Sequence, residues 1–185
     1  MLEEIYEETK DKMGKNRLAL KNELLRIRTG RASLSLLDNI RVDYYGTKTP
    51  LNQVATLSIP ESRLITIQPW DTSIIKEIEK AILKSDLGLT PTSDGRIVRI
   101  AIPPLTEQRR KELVKVVNKL CEEHKVALRN IRRESNELVK SLKKDGDIAE
   151  DEAFKSQAEI QKITDENIKL VDDIFKEKEK EILEF

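Results

Sequence analysis

The sequence predicts an α+β protein of two domains, an elongated antiparallel three-helix bundle into which a small β/α/β domain is inserted. Apolar or small residues recur every three or four positions along both terminal segments, as in long amphipathic helices. The middle segment instead alternates as strands do, and short connections containing glycine or proline separate the two kinds of pattern. We expect residues 1–30 and 105–185 to form the bundle and 31–104 the inserted domain, with an L-shaped outline.

The first segment, 2–28, predicts a helix of about seven turns. Thr29-Gly30 supplies its expected end, because glycine adopts the left-handed conformation that terminates helices. The stripe that should face the other helices consists of Leu2, Tyr6, Thr9, Met13, Asn16, Leu20, Leu24 and Ile27.

The middle segment predicts strands joined by turns, with one helix. Gly46-Thr47 is the expected hairpin turn, and Pro60-Glu61-Ser62 should separate two strands. Asp71 is a candidate cap for a helix that packs on the sheet. The predicted strands are 40–45, 54–59, 64–68 and 96–102, and the buried helix positions are Ile74, Ile75, Ile78, Ala81 and Ile82.

Two long helices follow, 106–144 and one from Asp147, capped through Glu150, to about Phe185. A two-helix hairpin cannot bury both apolar stripes, so the first helix should complete a bundle. The expected stripe of the first is Leu113, Val117, Leu120, His124, Leu128, Ile131, Ser135, Leu138 and Leu142. That of the second includes Phe154, Ile160, Ile163, Leu170, Val171, Ile174 and Ile182.

A basic face accompanies the apolar stripe of the 106–144 helix. We define it as Lys125, Arg129, Arg132, Arg133, Asn136, Lys140 and Lys143, an arc that no acidic residue interrupts. Residues 107–144 contain twelve basic and six acidic residues, whereas 145–185 contain six and fourteen. This polarity favours a polyanion as the partner. The alternatives are a solvated surface, pairing with the acidic segment, and docking of an acidic protein onto a coiled coil.

The residues give no indication of an enzyme. The single histidine, His124, lies in the apolar stripe and is expected to be a core or boundary residue, and Cys121 lacks a setting that would activate a thiol. The chain shows no phosphate-binding loop, dinucleotide fingerprint or metal-ligand spacing, so we expect no metal and no cofactor. It also shows no signal peptide and no stretch of 18 apolar residues, and one cysteine suits a reducing cytosol.

Several motifs together resemble the bacterial ribosome recycling factors over nearly the whole chain, up to Phe185. The stretches that match are 28–32 (RTGRA), 45–51 (YGTKTPL), 69–71 (PWD), 85–91 (SDLGLTP), 103–111 (PPLTEQRRK) and 126–133 (VALRNIRR). The resemblance implies a cytoplasmic factor, expected to be a monomer, that acts after termination of translation. With elongation factor G it would split the ribosome and release it from messenger RNA, its bundle lying on large-subunit ribosomal RNA at the subunit interface.

The resemblance also implies which residues contact RNA, and the linkers predict a hinge. Guanidinium groups contact phosphates in pairs of hydrogen bonds, which position a protein on RNA without reading sequence. The expected RNA-binding residues are Arg129, Arg132, Arg133 and Lys125, with Arg28 and Arg31 near the joint. Paired short connections allow bending about one axis. The expected hinge is Thr29, Gly30, Arg31, Pro103, Pro104 and Leu105.

Overall fold

The computed structural model describes residues 1–184, which divide into two compact units. One unit, here the bundle, comprises Met1–Thr29 with Glu107–Glu184, and the other, here the inserted unit, comprises Gly30–Thr106. The predicted class, a helical bundle with a small antiparallel sheet domain, is confirmed. The predicted end of the last helix, Phe185, lies outside the described residues. The α-helices of this part of the chain are α1 (Leu2–Leu25), α2 (Ile75–Lys84), α3 (Glu107–Asp145) and α4 (Glu150–Leu183).

The bundle is formed by α1, α3 and α4. Helix α1 ends three residues before the predicted limit, because the amides of Arg26 and Ile27 donate to carbonyls only three residues back and tighten the final turn. Helix α4 begins three residues later than its predicted cap. Ala149 precedes it, and the Glu152 carboxylate accepts from the Ala149 amide at 3.0 Å, so the expected Asp147–Glu150 pairing is wrong.

Hydrogen bonds between the helices establish their directions. Thr9 and Asn16 of α1 contact Ser135 and His124 of α3, so these two helices run antiparallel. Tyr6 donates to Ser156, and Thr29, just past α1, donates to Glu181, so α1 and α4 run parallel. Helices α3 and α4 are therefore antiparallel, and residues whose numbers sum to about 293 lie level with each other, as in the pairs Arg132–Gln161 and Lys143–Glu150.

Three residues of the predicted stripes are exposed and do not belong to the bundle core. Phe154, Leu138 and Leu170 are 76%, 46% and 41% exposed. The adjacent residues Ala153, Val139 and Val171 are buried instead. At the first of these positions a short side chain lets the helix backbones approach, and the larger Phe154 ring points outward. The buried positions that the stripes missed include Cys121, Val139, Ala153, Ser156, Thr164 and Asn167.

The inserted unit begins with a hairpin of β1 (Arg41–Tyr44) and β2 (Thr47–Pro50), which pair antiparallel from Arg41 with Pro50 to Tyr44 with Thr47. The turn lies at Tyr45-Gly46, one residue before the predicted position. Both turn residues have positive φ, 50° for Tyr45 and 84° for Gly46, as the tightest hairpin turns require.

A four-stranded antiparallel sheet in the order β3-β4-β6-β5 forms the rest of this unit. Its strands are β3 (Ala55–Glu61), β4 (Leu64–Pro69), β5 (Pro91–Ser93) and β6 (Val98–Ala101). The predicted break at residues 60–62 is wrong, because β3 continues through Pro60 to Glu61. Pro60 is tolerated there since β3 is an edge strand whose register shifts between Ser58 and Glu61. The three-residue strand β5 was not predicted.

Helix α2 closes one face of this sheet. The Asp71 carboxylate accepts from the Ser73 amide at 2.9 Å and caps a short 3₁₀ turn that leads into α2, as predicted. Ile74, Ile75, Ile78 and Ile82 are buried, whereas Ala81 is only partly so. They pack with the inward residues of the sheet, including Ile65, Ile67, Val98 and Ile100, in one continuous core.

Candidate nucleic-acid interface

The basic face of α3 presents arginines in two different environments. Arg129 and Arg133 are exposed, and Arg129 forms no hydrogen bond or ion pair with the described residues. Arg133 reaches only the Asn130 amide oxygen of its own helix, at 3.5 Å. Arg132 is half-buried and contacts α4. Within residues 1–184, one of the three guanidiniums is therefore held by a second helix, and the other two are not.

Arg132 is fixed by a chain of side chains from α4. Its Nη1 donates to Gln161 Oε1 at 2.9 Å, and Gln161 Nε2 donates to Asp165 Oδ1 at 2.8 Å. Gln161 and Asp165 are one turn apart on the same face of α4. Neither residue was predicted from the sequence, although the antiparallel register of α3 and α4 places position 161 level with Arg132.

Lys125, an expected RNA-binding residue, has a different environment. Its side chain is only 14% exposed, and Nζ lies 2.9 Å from Glu122 and 2.5 Å from Asp172 of α4. Burial alone would lower the pKa of this ammonium, but the hydrogen bonds to Asp172 and Glu122 outweigh it and raise the pKa. Lys125 already holds two carboxylates, so little of its charge is left for a phosphate.

Two cations further along the basic face also pair with carboxylates that lie outside its arc, which is one of the alternatives left open by the sequence. Lys140 pairs with Glu137 at 2.6 Å, and Lys143 pairs with Glu150 at 2.5 Å. The long side chains reach residues one turn away or at the start of α4, which the projection of a single helix does not show. Within residues 1–184, the cations of the basic face that pair with no carboxylate are therefore Arg129, Arg132 and Arg133.

A shallow groove of about 420 Å³ lies beside these arginines. Its lining combines cations with side-chain amides, namely Arg132, Arg133, Asn136, Glu137, Lys140, Gln157 and Gln161. Within residues 1–184 the Asn136 Oδ1 atom is buried and has no hydrogen-bond partner. The groove therefore offers guanidinium donors to a polar ligand, whereas the buried Asn136 oxygen is not accessible from it.

Arg28 and Arg31 do not belong to this cluster of arginines. Arg28 is exposed and directly precedes Thr29, whose hydroxyl donates to Glu181 at 2.9 Å near the end of α4. At 1.5 Å per residue, the end of the bundle near Thr29 and Glu181 is about 30 Å from Arg132 along the helix axis. Arg31 is exposed and belongs to the inserted unit.

The predicted hinge residues form two connections that touch each other. Thr29 is buried and bonded to the bundle, whereas the next residue, Gly30, has φ +79°. A Cβ at Gly30 would lie 3.1 Å from Leu105 Cγ, so the position combines a left-handed backbone with close packing. Pro103 and Pro104 precede Leu105 and are exposed.

The surroundings of Cys121 and His124 fit a structural role for both residues. Burial raises the pKa of the Cys121 thiol to about 11, which keeps it protonated and unreactive. His124 Nδ1 lies 3.1 Å from Asn16 Oδ1, and Nε2 lies 3.6 Å from Glu23. This histidine is a satisfied boundary residue, as predicted.

The exposed aromatic rings among the described residues are Phe154 of the bundle and two rings of the inserted unit, and none belongs to the basic face. Trp70 is 68% exposed, and its indole nitrogen donates to Thr56 Oγ1 at 3.0 Å. Tyr45 is 76% exposed, and its hydroxyl donates to Asp71 at 2.8 Å, which raises the pKa of Tyr45. The basic face itself carries no ring on which a base could stack.

Comparison with known proteins agrees with this arrangement. The family described as ribosome recycling factor matches residues 20–183. The chain belongs to the ribosome recycling factor family. A ribosome-recycling factor from Desulfatibacillum aliphaticivorans is 70% identical over 185 residues, and one from Bacillus subtilis is 55% identical over 184, each alignment covering 100% of both chains. Members of this family are non-enzymatic ribosome factors.

Solved structures of the family have the same fold. A solution structure of the ribosome recycling factor is 42% identical and covers 100% of this chain and 98% of its own, with a TM-score of 0.73. A second structure presents models of the T. thermophilus ribosome recycling factor and the E. coli elongation factor G bound to the E. coli post-termination complex. It is 49% identical, covers 99% of each chain and has a TM-score of 0.63.

Within residues 1–184, no helix combines the length and the apolar character needed to cross a bilayer.

Proposed function

We propose that this chain acts in the cytoplasm as a monomer that recycles ribosomes after termination, together with elongation factor G. The bundle would bind large-subunit ribosomal RNA through Arg129, Arg132 and Arg133. The observation that carries this proposal is the concentration of three uncompensated guanidiniums on one side of α3, in a family of ribosome factors. A neighbouring structure includes elongation factor G and the post-termination complex, which supports the same partners here.

Arginines suit this role because the guanidinium remains charged and donates two parallel hydrogen bonds to a phosphate. Such contacts fix the position of a protein on RNA and do not select a sequence. Arg129 and Arg133 are exposed and contribute mainly charge, whereas Arg132 contributes charge in a defined orientation. Lys125 is assigned a supporting role at most, since two carboxylates of the bundle already hold it. Arg28 and Arg31 would form separate contacts.

The test is the affinity of Arg132→Ala for purified large ribosomal subunits. Loss of a charged hydrogen bond should cost roughly 1.5–3 kcal/mol of binding. The melting temperature should change little, because removing one partly exposed contact costs less than about 1 kcal/mol of stability. The matched control is Arg109→Ala, which removes the same charge from α3 about 35 Å away. Unchanged affinity of the Arg132 variant would contradict the proposal.

Salt dependence separates RNA from an acidic protein partner. Three arginines on RNA phosphates should give a slope of about −2 to −3 in a plot of log affinity against log salt, and Arg132→Ala should reduce its magnitude by about one. Isolated ribosomal RNA should compete with the subunits for binding, and its affinity for the variants should rank them in the same order as the subunits do. A flat salt response, or competition by acidic proteins alone, would favour the protein-docking alternative.

We further propose that the two connections act as a hinge between two domains. One domain comprises residues 1–30 and 105–185, and the other comprises residues 31–104. Thr29 is anchored to α4, so bending would begin at Gly30, the residue with positive φ. Pro103 and Pro104 have fixed φ angles, and they would stiffen the second connection next to Leu105. A factor held on RNA by its bundle needs such freedom if elongation factor G displaces its other domain.

The hinge can be tested with a disulfide engineered between the two units in a Cys121→Ser background. The oxidised protein should still bind ribosomes but should not recycle them with elongation factor G, and reduction should restore activity. The same protein kept reduced throughout is the control. Recycling at the normal rate by the oxidised form would show that the connections serve only as a tether.

A further inference from the structure

Arg132 differs from its neighbours in how it is supported by the rest of the bundle. Its guanidinium donates to Gln161 of α4, whereas Arg133 reaches only its own helix at 3.5 Å. Among the arginines at positions 129, 132 and 133, it is therefore the one that a second helix holds, as far as residues 1–184 show. A long arginine side chain loses much rotamer freedom on binding, and a support that holds it beforehand reduces this loss.

Asp165 determines which end of the Gln161 side-chain amide faces Arg132. A side-chain amide can present either its oxygen or its nitrogen to a neighbour, and only the oxygen can accept from a guanidinium. The Asp165 carboxylate accepts hydrogen bonds, so it keeps the Gln161 nitrogen on its own side at 2.8 Å. The Gln161 oxygen then faces Arg132 at 2.9 Å. Asp165 thus orients the arginine through an intervening amide.

The intervening amide also preserves the charge of the arginine. A carboxylate in direct contact with Arg132 would pair with it and weaken its attraction for phosphate, as Glu122 and Asp172 do for Lys125. Gln161 is neutral and occupies one of the five guanidinium N–H donors. The other donors form no hydrogen bond within residues 1–184, and Arg132 lines the groove together with Arg133 and Asn136.

We infer that Gln161 and Asp165 are positioning residues, which hold the Arg132 guanidinium in the orientation that contacts RNA; the inference rests on the proposed function. The two residues act through Arg132 and touch no RNA themselves. The competing explanation is that Gln161 merely joins α3 to α4, with Asp165 as an ordinary surface charge.

A double-mutant cycle separates these explanations, with affinity for purified large ribosomal subunits as the readout. Gln161→Met keeps the length of the side chain and removes its acceptor. It should weaken binding roughly three- to tenfold, as expected for one hydrogen bond. In an Arg132→Ala background the same change should have no effect. Equal losses in both backgrounds, or no loss in either, would overturn the inference. If Arg132→Ala itself binds normally, the proposed RNA contact fails as well, which is a distinguishable result.

A second variant tests whether the affinity for ribosomal subunits rises or falls. Its position is exposed, so the substitution does not put folding at risk. Asp165→Asn removes a negative charge near a polyanion, so electrostatics alone would tighten binding. An asparagine at position 165 can present either its oxygen or its nitrogen, so it no longer fixes the orientation of the Gln161 amide. Positioning therefore predicts weaker binding, again by roughly threefold or more. The control, Glu166→Gln, removes the adjacent exposed carboxylate and should leave affinity unchanged or slightly higher. Tighter binding by both variants would overturn the inference.

Discussion

The cores of the two units differ in polarity. In the inserted unit, none of the described buried residues is polar or charged. Its core cluster contains only alanine, valine, leucine and isoleucine. The bundle instead buries polar side chains along its length, namely Thr9, Thr29, Ser135, Ser156, Thr164 and Asn167. An apolar core supplies more free energy per residue buried, whereas polar groups cost free energy unless they are hydrogen-bonded.

This difference reflects the geometry of the two units. The sheet of the inserted unit has its register fixed by backbone hydrogen bonds between strands. Long helices have no such bonds to each other, and a uniformly apolar seam would tolerate slippage by one turn, about 5.4 Å. Cross-helix pairs such as Thr9–Ser135 and Tyr6–Ser156 are satisfied in only one register. Buried polar groups thus specify alignment at some cost in stability.

The largest effect expected from this comparison is at the apolar core of the inserted unit. Ile67 is 0% exposed and lies on β4 between Leu57 and Val98. Ile67→Ala should lower the free energy of unfolding of this unit by about 2–5 kcal/mol through lost burial and the resulting cavity. Denaturant unfolding followed by Trp70 fluorescence measures the change. Gln68→Ala, at the adjacent exposed position, should stay within about 0.5 kcal/mol of the parent.

A smaller effect is expected at the Thr9–Ser135 pair of the bundle, where the oxygens are 2.7 Å apart. Thr9→Val or Ser135→Ala should each cost about 1 kcal/mol, because the remaining hydroxyl loses its cross-helix partner. The cost is limited since each hydroxyl also lies within reach of a carbonyl one turn back, that of Ile5 or Ile131. The double variant should cost less than the sum, as thermal unfolding followed by circular dichroism can show.

A control for this pair lies in the same core. The Thr164 hydroxyl donates to the Ile160 carbonyl of its own helix at 2.7 Å. Thr164→Val should therefore lower stability without affecting register, and its effect should add to those of Thr9→Val and Ser135→Ala. Strict additivity of the Thr9 and Ser135 substitutions themselves would show that the two hydroxyls are not coupled.

The fold was largely predictable because periodicity reports which face of an element is buried. All three bundle helices and the two central strands of the sheet were predicted from such patterns. The errors occurred where the position of a residue in the sheet or bundle determines its conformation or its burial. Pro60 continues a strand because that strand is at the edge of the sheet. Phe154 is exposed because the adjacent Ala153 fits between the helices. The short strand β5 contains only small or constrained residues, and a three-residue segment has too little periodicity to detect.

The candidate interface was less predictable, because its properties depend on a second helix. A projection of α3 correctly places Arg129 and Arg133 outside, but it cannot show that Lys125 contacts Asp172 or that Lys143 contacts Glu150. The relation of Gln161 to Arg132 likewise arises only when α3 and α4 are set in register. Charge patterning along one helix therefore identifies candidate cations, and the opposite helix decides which of them stay available.

The locations of two unusual residues have a practical consequence. The chain contains one tryptophan, Trp70, in the inserted unit, and one cysteine, Cys121, buried in the bundle. Each unit thus carries its own intrinsic spectroscopic or chemical reporter. Indole fluorescence follows the opening of one unit and thiol labelling follows the opening of the other, in the unmodified protein. Comparing the two signals measures how far the units unfold as one cooperative system.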